Sequence, residues 1–233
     1  MINKMTQNIS IRKDWKLIQS LIDIDSSVLD IGCGEGELMS QLEKNLNSNT
    51  RGMEIDGDLV NKAINNGLNV IHGNAEKNLE YYSTQSFDYV ILSQTLQAMY
   101  NPKIVLEELL RIGSKAIVSF PNFGHWYIRL QLLFNGKMPV TKGLPYSWYE
   151  TPNIHFFTLK DFQDICKKLN INIEKSFGLT NKGKQFEITD YSITSNLITQ
   201  EAIFLLSKNK IETIKIESKQ NVFMSQKILA NNQ

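Results

Sequence analysis

The stretch VLDIGCGEG at residues 28–36 decides the fold of this chain. Val28–Ile31 is an apolar run interrupted only by Asp30, which is typical of a buried parallel strand. Three glycines then alternate with other residues, and a helical pattern begins at Glu37. A strand that leads through a glycine-rich loop into a helix brings backbone N–H groups and the positive helix end to a ligand. The stretch therefore predicts a nucleotide-type binding site.

Strands and helices alternate along most of the chain, which predicts a doubly wound α/β sheet in three layers. Only a polar connection at residues 181–200, with no predicted helix, separates the last two strands, so we expect these two to pair antiparallel. The predicted strands are Val28–Ile31, Thr50–Ile55, Leu68–His72, Phe87–Leu92, Ala116–Phe120, a sixth beginning at Ile171–Ile173, and Ala202–Leu206. The predicted helices are Asp14–Ile22, Glu37–Asn45, one capped by Asp58 and ending at Asn66, Pro102–Arg111, Ile128–Phe134, and one opened by Thr158 with Asp161 and ending at Leu169.

Composition bounds the class of protein. The 233 residues carry a net charge of +1 and are 42% hydrophobic, which predicts a single globular domain over residues 1–233 with a core at about 10–207. The balanced charge gives no reason to expect nucleic acid or a membrane surface as partner. Because no window has eighteen apolar residues and the N-terminus has no signal-peptide pattern, we expect a cytoplasmic location. Two cysteines and three scattered histidines predict free thiols and no metal site.

A seven-stranded sheet with an antiparallel last strand, together with the G-x-G-x-G loop, resembles the class I S-adenosylmethionine-dependent methyltransferase superfamily. The dinucleotide fingerprint G-x-G-x-x-G has a different spacing. The resemblance implies S-adenosylmethionine or S-adenosylhomocysteine as the cofactor. It also implies a first motif at Asp30–Gly36, in which Gly32, Cys33, Gly34 and Gly36 approach the cofactor, and in which the next helix faces its carboxylate.

The same resemblance implies further cofactor residues after the next strands. Glu54 ends the second strand, where the superfamily has an acid that accepts hydrogen bonds from both ribose hydroxyls. Asp56 is the alternative, and Glu54 is favoured because the acid of the superfamily lies at the strand's end. Asn74 stands where an Asp often accepts a hydrogen bond from the adenine amino group. The remaining members of the implied set are Ile55, Ala75, Ser93 and Gln94, the last two facing the sulfonium.

Longer stretches, including an aromatic insert at about residues 121–157, resemble one family in particular. They are Phe87–Ala98, Ala116–Trp126, Gly136–Lys142 and Leu144–His155. These stretches are similar to the methionine biosynthesis protein MetW, and the likeness covers about residues 10–207. It implies a protein that works beside homoserine O-acyltransferase and supports the activity of that enzyme. The polar tail at 208–233, in which residues 211–216 alternate like a strand, lies beyond the likeness.

These resemblances support two hypotheses about function. The chain is a methyltransferase, with His125 and His155 as candidate general bases, or it is a regulatory subunit of the acyltransferase. The alternative for each histidine is a hydrogen bond within an ordered aromatic loop. The aromatic insert is an interface in the second hypothesis, and the alternatives are a lid over the cofactor and a part of the core. The side-chain types typical of binding hot spots in this insert are Trp126, Arg129, Tyr146, Trp148 and Tyr149.

Overall fold

The computed structural model describes residues 12–141, 143–180 and 182–209. The strands are β1 (Ser27–Ile31), β2 (Asn49–Glu54), β3 (Val70–His72), β4 (Phe87–Ser93), β5 (Gly113–Pro121), β6 (Ile171–Leu179), β7 (Gln185–Glu187) and β8 (Glu201–Lys208). The helices are α1 (Lys13–Gln19), α2 (Glu37–Leu46), α3 (Gly57–Asn65), α4 (Ala75–Asn78), α5 (Pro102–Ile112), α6 (Trp126–Asn135), α7 (Leu159–Lys168) and α8 (Ile193–Ile198). The strand predicted at residues 211–216 and the tail from residue 210 lie outside the described residues.

The strands form one sheet in the order β3-β2-β1-β4-β5-β8-β6-β7. Strands β1 to β5 pair parallel, and β8 lies between β5 and β6 and runs antiparallel to both. The predicted doubly wound α/β class and the antiparallel pairing of the two long final strands are therefore confirmed. The order reverses between β1 and β4, because β2 and β3 lie on one side of this pair and β5 on the other.

Two details of the prediction are wrong. The described part of the sheet has eight strands rather than seven, because the short β7 pairs antiparallel with β6 at the edge. The connection to β8 holds the helix α8, where the Ser192 side chain caps the helix by accepting a hydrogen bond from the backbone N–H of Ser195. Elements of three and six residues are too short to show a hydrophobic period, and local hydrogen bonds decide them.

The first residues of α7 and α3 show the hydrogen bonds that are typical of helix N-caps. The predicted capping box is present at α7, where Thr158 and Asp161 exchange side-chain to backbone hydrogen bonds. The predicted cap of α3 is wrong by two residues. Asp56, rather than Asp58, is the N-cap, and its side chain accepts from the N–H of Asp58 at 2.9 Å. The N-cap residue has extended backbone while its side chain bonds to a later N–H group, and Asp56 meets both conditions.

The core consists mainly of two apolar clusters, one on each face of the sheet. Leu29 and Ile31 contribute to one cluster. Val28 contributes to the other cluster, which lies between the sheet and the helices α1 and α2. Successive side chains of a strand point to opposite faces, so β1 is buried on both. In the first cluster the Phe120 ring lies 4.7 Å from Phe162 and stacks 5.6 Å from Phe204, measured between ring centroids. Both cysteines are buried and unpaired.

Phe120→Ala is expected to lower the free energy of unfolding by about 3–5 kcal/mol, because it removes a fully buried ring from a packed cluster and leaves a cavity. Chemical denaturation monitored by circular dichroism measures the loss. Phe134→Ala is the matched control, because the Phe134 ring is 76% exposed and its removal should change stability by less than about 0.5 kcal/mol. Equal losses in the two variants would contradict this description of the core.

Candidate cofactor site

The sheet brings the predicted site residues to one end of the molecule. The loop at 32–36 comes after β1, Glu54 ends β2, Asn74 lies just after β3 and Ser93 ends β4. These four strands are parallel, so their carboxyl ends share one edge of the sheet. In open α/β sheets ligands bind beyond these ends, at the point where the strand order reverses. That point is the gap between β1 and β4.

The three glycines of the loop have different tasks. Gly32, Gly34 and Gly36 all have positive φ, at 73°, 58° and 81°, a conformation that side chains with a Cβ rarely adopt. A Cβ on Gly36 would lie 2.1 Å from the Cδ1 of Leu68, so this glycine allows the loop to pack closely. A Cβ on Gly34 would meet nothing within 4 Å. The backbone at Gly34 therefore borders open space, which is the arrangement that a ligand approaching the main chain requires.

Glu54 is turned toward this loop. Its Oε2 accepts a hydrogen bond from the N–H of Gly34 at 2.9 Å, and its Oε1 accepts from the N–H groups of Ile55 and Asp56. The side chain is 8% exposed. A carboxylate has about four acceptor positions, so oxygens that hold three backbone groups keep capacity for a further donor. Asp56 is occupied as the cap of α3, and the geometry therefore favours Glu54 over Asp56 as the ribose acid.

The other predicted residues divide into backbone and side-chain contributors. Cys33 points its side chain into the protein, because a Cβ on Gly52 would lie 2.6 Å from the Cys33 Sγ, and burial raises the pKa of this thiol to about 12. Ile55 is exposed next to Glu54 and offers an apolar surface for a base. The Asn74 Oδ1 caps α4 by accepting from the N–H of Glu76 at 2.9 Å, and Ala75 is buried in the first turn of α4.

A cluster of buried polar side chains lies at the end of β4. Three of its residues, Arg12, Asp14 and Glu201, were not predicted from the sequence. The Ser93 hydroxyl accepts a hydrogen bond from Arg12 at 2.8 Å and contacts the Asp14 carboxylate at 3.3 Å. The Gln94 side chain donates to Glu201 Oε1 at 2.7 Å. Arg12, Asp14 and Glu201 come from the start of α1 and the start of β8, far from the glycine loop in sequence. In the sequence, Asp14 begins a predicted helix and Glu201 precedes a predicted strand, and no local pattern connects either residue with β4.

Burial changes the charge of this region. Burial raises the pKa of Asp30 from 3.8 to about 7, and the Arg12 guanidinium opposes this effect. Burial likewise raises the pKa of Glu201 to about 8, and the Asp14 carboxylate adds to the rise. Asp30 is 3% exposed. The site therefore holds two carboxyl groups whose pKa values are raised by burial, a property common in functional sites.

Both histidines have structural hydrogen bonds. The buried His125 caps α6, where its Nδ1 accepts from the N–H of Tyr127 at 3.3 Å, and burial lowers its pKa. The His155 Nε2 lies 3.4 Å from the carbonyl oxygen of Tyr100. Among the described residues, neither ring bonds to a residue of the glycine loop or to Glu54. A catalytic role stays a prediction, and these contacts favour the structural alternative.

Other features of the described residues do not compete with this site. A surface cavity of about 500 Å³ lies between α7 and β6, away from the carboxyl ends of β1 and β4. Within the described segments, no group of three or more histidine, cysteine or acidic side chains is arranged to hold a metal ion. None of the helices in these segments has the length and apolar character needed to span a bilayer.

The fold and the site define a protein of the class I S-adenosylmethionine-dependent methyltransferase fold. A solved methyltransferase from Thermotoga maritima, described as a possible histamine N-methyltransferase, superposes with a TM-score of 0.62 at 17% identity, over 84% of this chain and 88% of that chain. The [4+2]-cyclase SpnF superposes with a TM-score of 0.59 at 13% identity, over 83% and 80% of the two chains. The second comparison shows that this fold is also found in a protein named for a different reaction.

Residues 12–206 match the family described as methionine biosynthesis protein MetW. The chain is also 33% identical over 190 residues to the bifunctional methionine biosynthesis protein MetXA/MetW of Rhodopirellula baltica. This match covers 77% of the chain and 30% of the relative, so the chain corresponds to less than a third of that protein. The chain belongs to the MetW family and is a methionine biosynthesis protein with a methyltransferase-like fold.

Asp30→Asn is expected to remove a pH dependence of stability. The folded protein keeps the Asp30 proton to a higher pH than the unfolded chain, so the contribution of this proton is complete below pH 3.8 and is lost as pH rises through about 7. Across this window the stability of the wild type should fall relative to Asp30→Asn by up to about 1.4 kcal/mol per pH unit. Denaturation at a series of pH values measures the difference.

Asp88→Asn is the control with the opposite sign. Hydrogen bonds from Ser27 lower the pKa of Asp88, so its contribution to stability is present above the pKa of the unfolded chain and is lost as pH falls. The two variants should therefore diverge from the wild type in opposite directions along the pH axis. Parallel pH profiles of Asp30→Asn and the wild type would show that Asp30 is ionised in the folded protein.

Proposed function

We propose that this chain binds S-adenosylmethionine or S-adenosylhomocysteine at the carboxyl ends of β1 and β4, and that it supports homoserine O-acyltransferase in methionine biosynthesis. The observation that carries the partnership is the relative from Rhodopirellula baltica, whose name joins MetXA and MetW in one polypeptide. Fusion of two modules in one chain keeps them at a high effective concentration. Such a fusion is favourable when the two proteins act together. We therefore propose that this chain and the enzyme bind to each other.

The residues present fit the cofactor. The Gly34 backbone borders open space, Glu54 lies beside it with acceptor capacity, and the exposed Ile55 is next in the chain. The N-terminus of α2 begins one residue after the last glycine, where its N–H groups favour a carboxylate. When bound, S-adenosylmethionine supplies an electrophilic methyl group on a sulfonium. The residues of this chain would orient it, and Ser93 and Gln94, at the end of β4 and just after it, are the residues that we expect to face the sulfonium.

A second candidate function is methyl transfer to an unidentified small molecule or protein. The polar cluster at the end of β4 favours it, because the side chains of Asp14, Ser93 and Gln94 place hydrogen-bonding groups beside the candidate cofactor site, where they can orient an acceptor. In such a step the lone pair of the acceptor atom would form a bond to the methyl carbon while the bond between that carbon and the sulfonium sulfur breaks, and the proton of the acceptor would pass to solvent. Reproducible labelling of an acceptor in a cell extract with methyl-labelled cofactor would establish this function.

Glu54→Ala is expected to weaken the binding of S-adenosylmethionine by at least about tenfold, because hydrogen bonds to a charged group contribute about 1.5–3 kcal/mol each. Isothermal titration calorimetry measures the dissociation constant. The matched control is Asp56→Asn, which keeps an oxygen to cap α3 and should bind the cofactor like the wild type. The reverse result would make Asp56 the ribose acid, and an absence of heat with the wild type would refute the cofactor proposal.

The acyltransferase from the same organism is expected to co-purify with this chain and to gain stability or specific activity from it. Co-expression with a tag on one protein measures the complex, and an acyl-transfer assay with and without the chain measures the effect. The Glu54→Ala variant tests the partnership with the enzyme separately from cofactor binding. If docking does not require the cofactor, this variant should still bind the enzyme. An acyltransferase that is stable and fully active alone, and that does not bind the chain, would refute the partner role.

A further inference from the structure

Exposed apolar side chains are concentrated in one segment. Of the 22 large apolar residues that the structure shows as exposed, 13 lie between residues 126 and 156, and their exposed fractions range from 39% to 76%. Single exposed apolar residues are ordinary on a protein surface, whereas a concentration of them marks an interaction site. We call residues 126–156 the aromatic segment. Its described part consists of α6 and of residues 136–141 and 143–156 in the connection from α6 toward α7.

Helix α6 presents its apolar residues to solvent. Trp126, Leu130, Leu133 and Phe134 have the spacing i, i+4, i+7 and i+8, so they lie on one face, and all four are exposed. Ile128 is the buried residue of this helix. A surface helix normally turns its apolar face toward the core. In α6 the four exposed apolar residues form a second apolar face, which points to solvent. Helices of this kind dock in an apolar groove of a partner.

The size and charge of the segment indicate a protein partner. Thirteen large side chains at these exposures offer on the order of 1,000 Å² of apolar surface, compared with the roughly 800 Å² that one partner of a stable interface buries. Residues 126–156 contain only three basic residues and one acidic residue. A helix that binds a lipid surface has a strongly basic polar face, which this segment lacks. The apolar character instead matches the hydrophobic centre of a protein interface.

The aromatic segment is attached to the cofactor site by the turn at residues 94–98. The carbonyl oxygen of Gln97 accepts hydrogen bonds from the N–H groups of both Ile154 and His155, at 2.8 and 2.9 Å. The Gln97 side chain donates to the carbonyl oxygen of Gln94 at 2.7 Å. At the other side, Thr95 packs against the glycine loop so closely that a Cβ on Gly32 would lie 2.8 Å from its Oγ1. The turn therefore contacts the glycine loop and holds the end of the aromatic segment.

We infer that the outward face of the aromatic segment docks the acyltransferase, and that the turn at residues 94–98 couples this docking to occupation of the cofactor site. The inference rests on the proposed function. Gln94 in this turn has a φ of 54°, which is uncommon for a residue with a side chain, so the turn is held in place by its neighbours. A cofactor packed against the glycine loop restrains Thr95 and the turn, and so lowers the entropy lost when the aromatic segment is fixed by the partner. Cofactor binding thus raises the affinity for the enzyme.

The first experiment measures both binding equilibria in full. The dissociation constant of the acyltransferase is determined with and without saturating S-adenosylmethionine, and that of S-adenosylmethionine with and without saturating acyltransferase. The cofactor should tighten enzyme binding by about 5- to 150-fold, and thermodynamic linkage requires the same factor in the second pair. Hydrogen exchange gives an independent readout, because the Ile154 and His155 amides should become more protected when the cofactor alone is added. If both ligands bind without changing each other's affinity, the coupling is refuted and the proposed function stands.

Matched variants test the surface and the turn separately. Leu133→Asp places a charge on the outward face of α6 and should weaken enzyme binding at least tenfold without changing cofactor affinity. Ile24→Asp is the control, because Ile24 is equally exposed but precedes β1, at the opposite end of that strand from the glycine loop. Gln97→Ala removes the bond to the carbonyl of Gln94 and should keep both affinities while the coupling factor falls toward one. Thermal denaturation confirms that each variant is folded.

The remaining outcomes each contradict the inference in a defined way. If Leu133→Asp binds the enzyme like the wild type, the docking surface is elsewhere. If Leu133→Asp instead converts a dimer of this chain to a monomer in analytical ultracentrifugation, and enzyme binding is unchanged, the face is an interface between copies. Binding of the wild type to neutral phosphatidylcholine vesicles, abolished by the same substitution, would make the face a lipid contact. An absence of any binding to the enzyme or to the cofactor would refute the proposed function itself.

Discussion

The parallel pairing of β1 with β4 is the constraint on which the site depends. Its register sets Ile31 opposite Leu92, so the glycine loop and the turn after β4 leave the sheet side by side. The loop then approaches Thr95 closely, and Glu54 from β2 bonds to the loop from the other side. The contact with Thr95 depends on the register of β1 with β4, and the contact with Glu54 depends on the register of β1 with β2. A shift of one residue would turn every side chain of β1 to the opposite face, and both apolar clusters prevent that shift.

Carboxyl groups are buried at the edge of the sheet where the parallel strands end, in positions that apolar side chains normally occupy. An apolar residue would suit the interior position of Asp30, and burial of its ionised form is unfavourable enough to shift its pKa to about 7. Arg12 forms an ion pair with Asp14 of α1, and Gln94 donates a hydrogen bond to Glu201 of β8, so both carboxyl groups have polar partners. Stability alone does not account for such a group, since apolar side chains of similar volume would pack at least as well. A group of this kind fits the binding of a polar ligand that carries its own charge.

How far the sequence predicted this structure depends on the range of the interactions. Glu54 and the glycine loop were predictable because each lies at the end of a strand whose period and neighbours are local signals. Arg12, Asp14 and Glu201 were not, because Arg12 and Asp14 reach Ser93 only when α1 packs against the sheet, and Glu201 reaches Gln94 only when β8 pairs with β5. The α3 cap was misplaced by two residues because Asp56 and Asp58 are both good caps, and only the backbone geometry distinguishes them.

The site and the surface carry different kinds of information about function. The fold is shared with proteins that are named for different reactions, so the fold by itself does not define the function of the site. The outward apolar face of α6 does not pack against the sheet. Ile128 is the buried residue of this helix. Exposed apolar area is unfavourable in water unless something covers it. The turn at residues 94–98 contacts both the glycine loop and the aromatic segment, and the proposed linkage between cofactor binding and partner binding rests on these contacts.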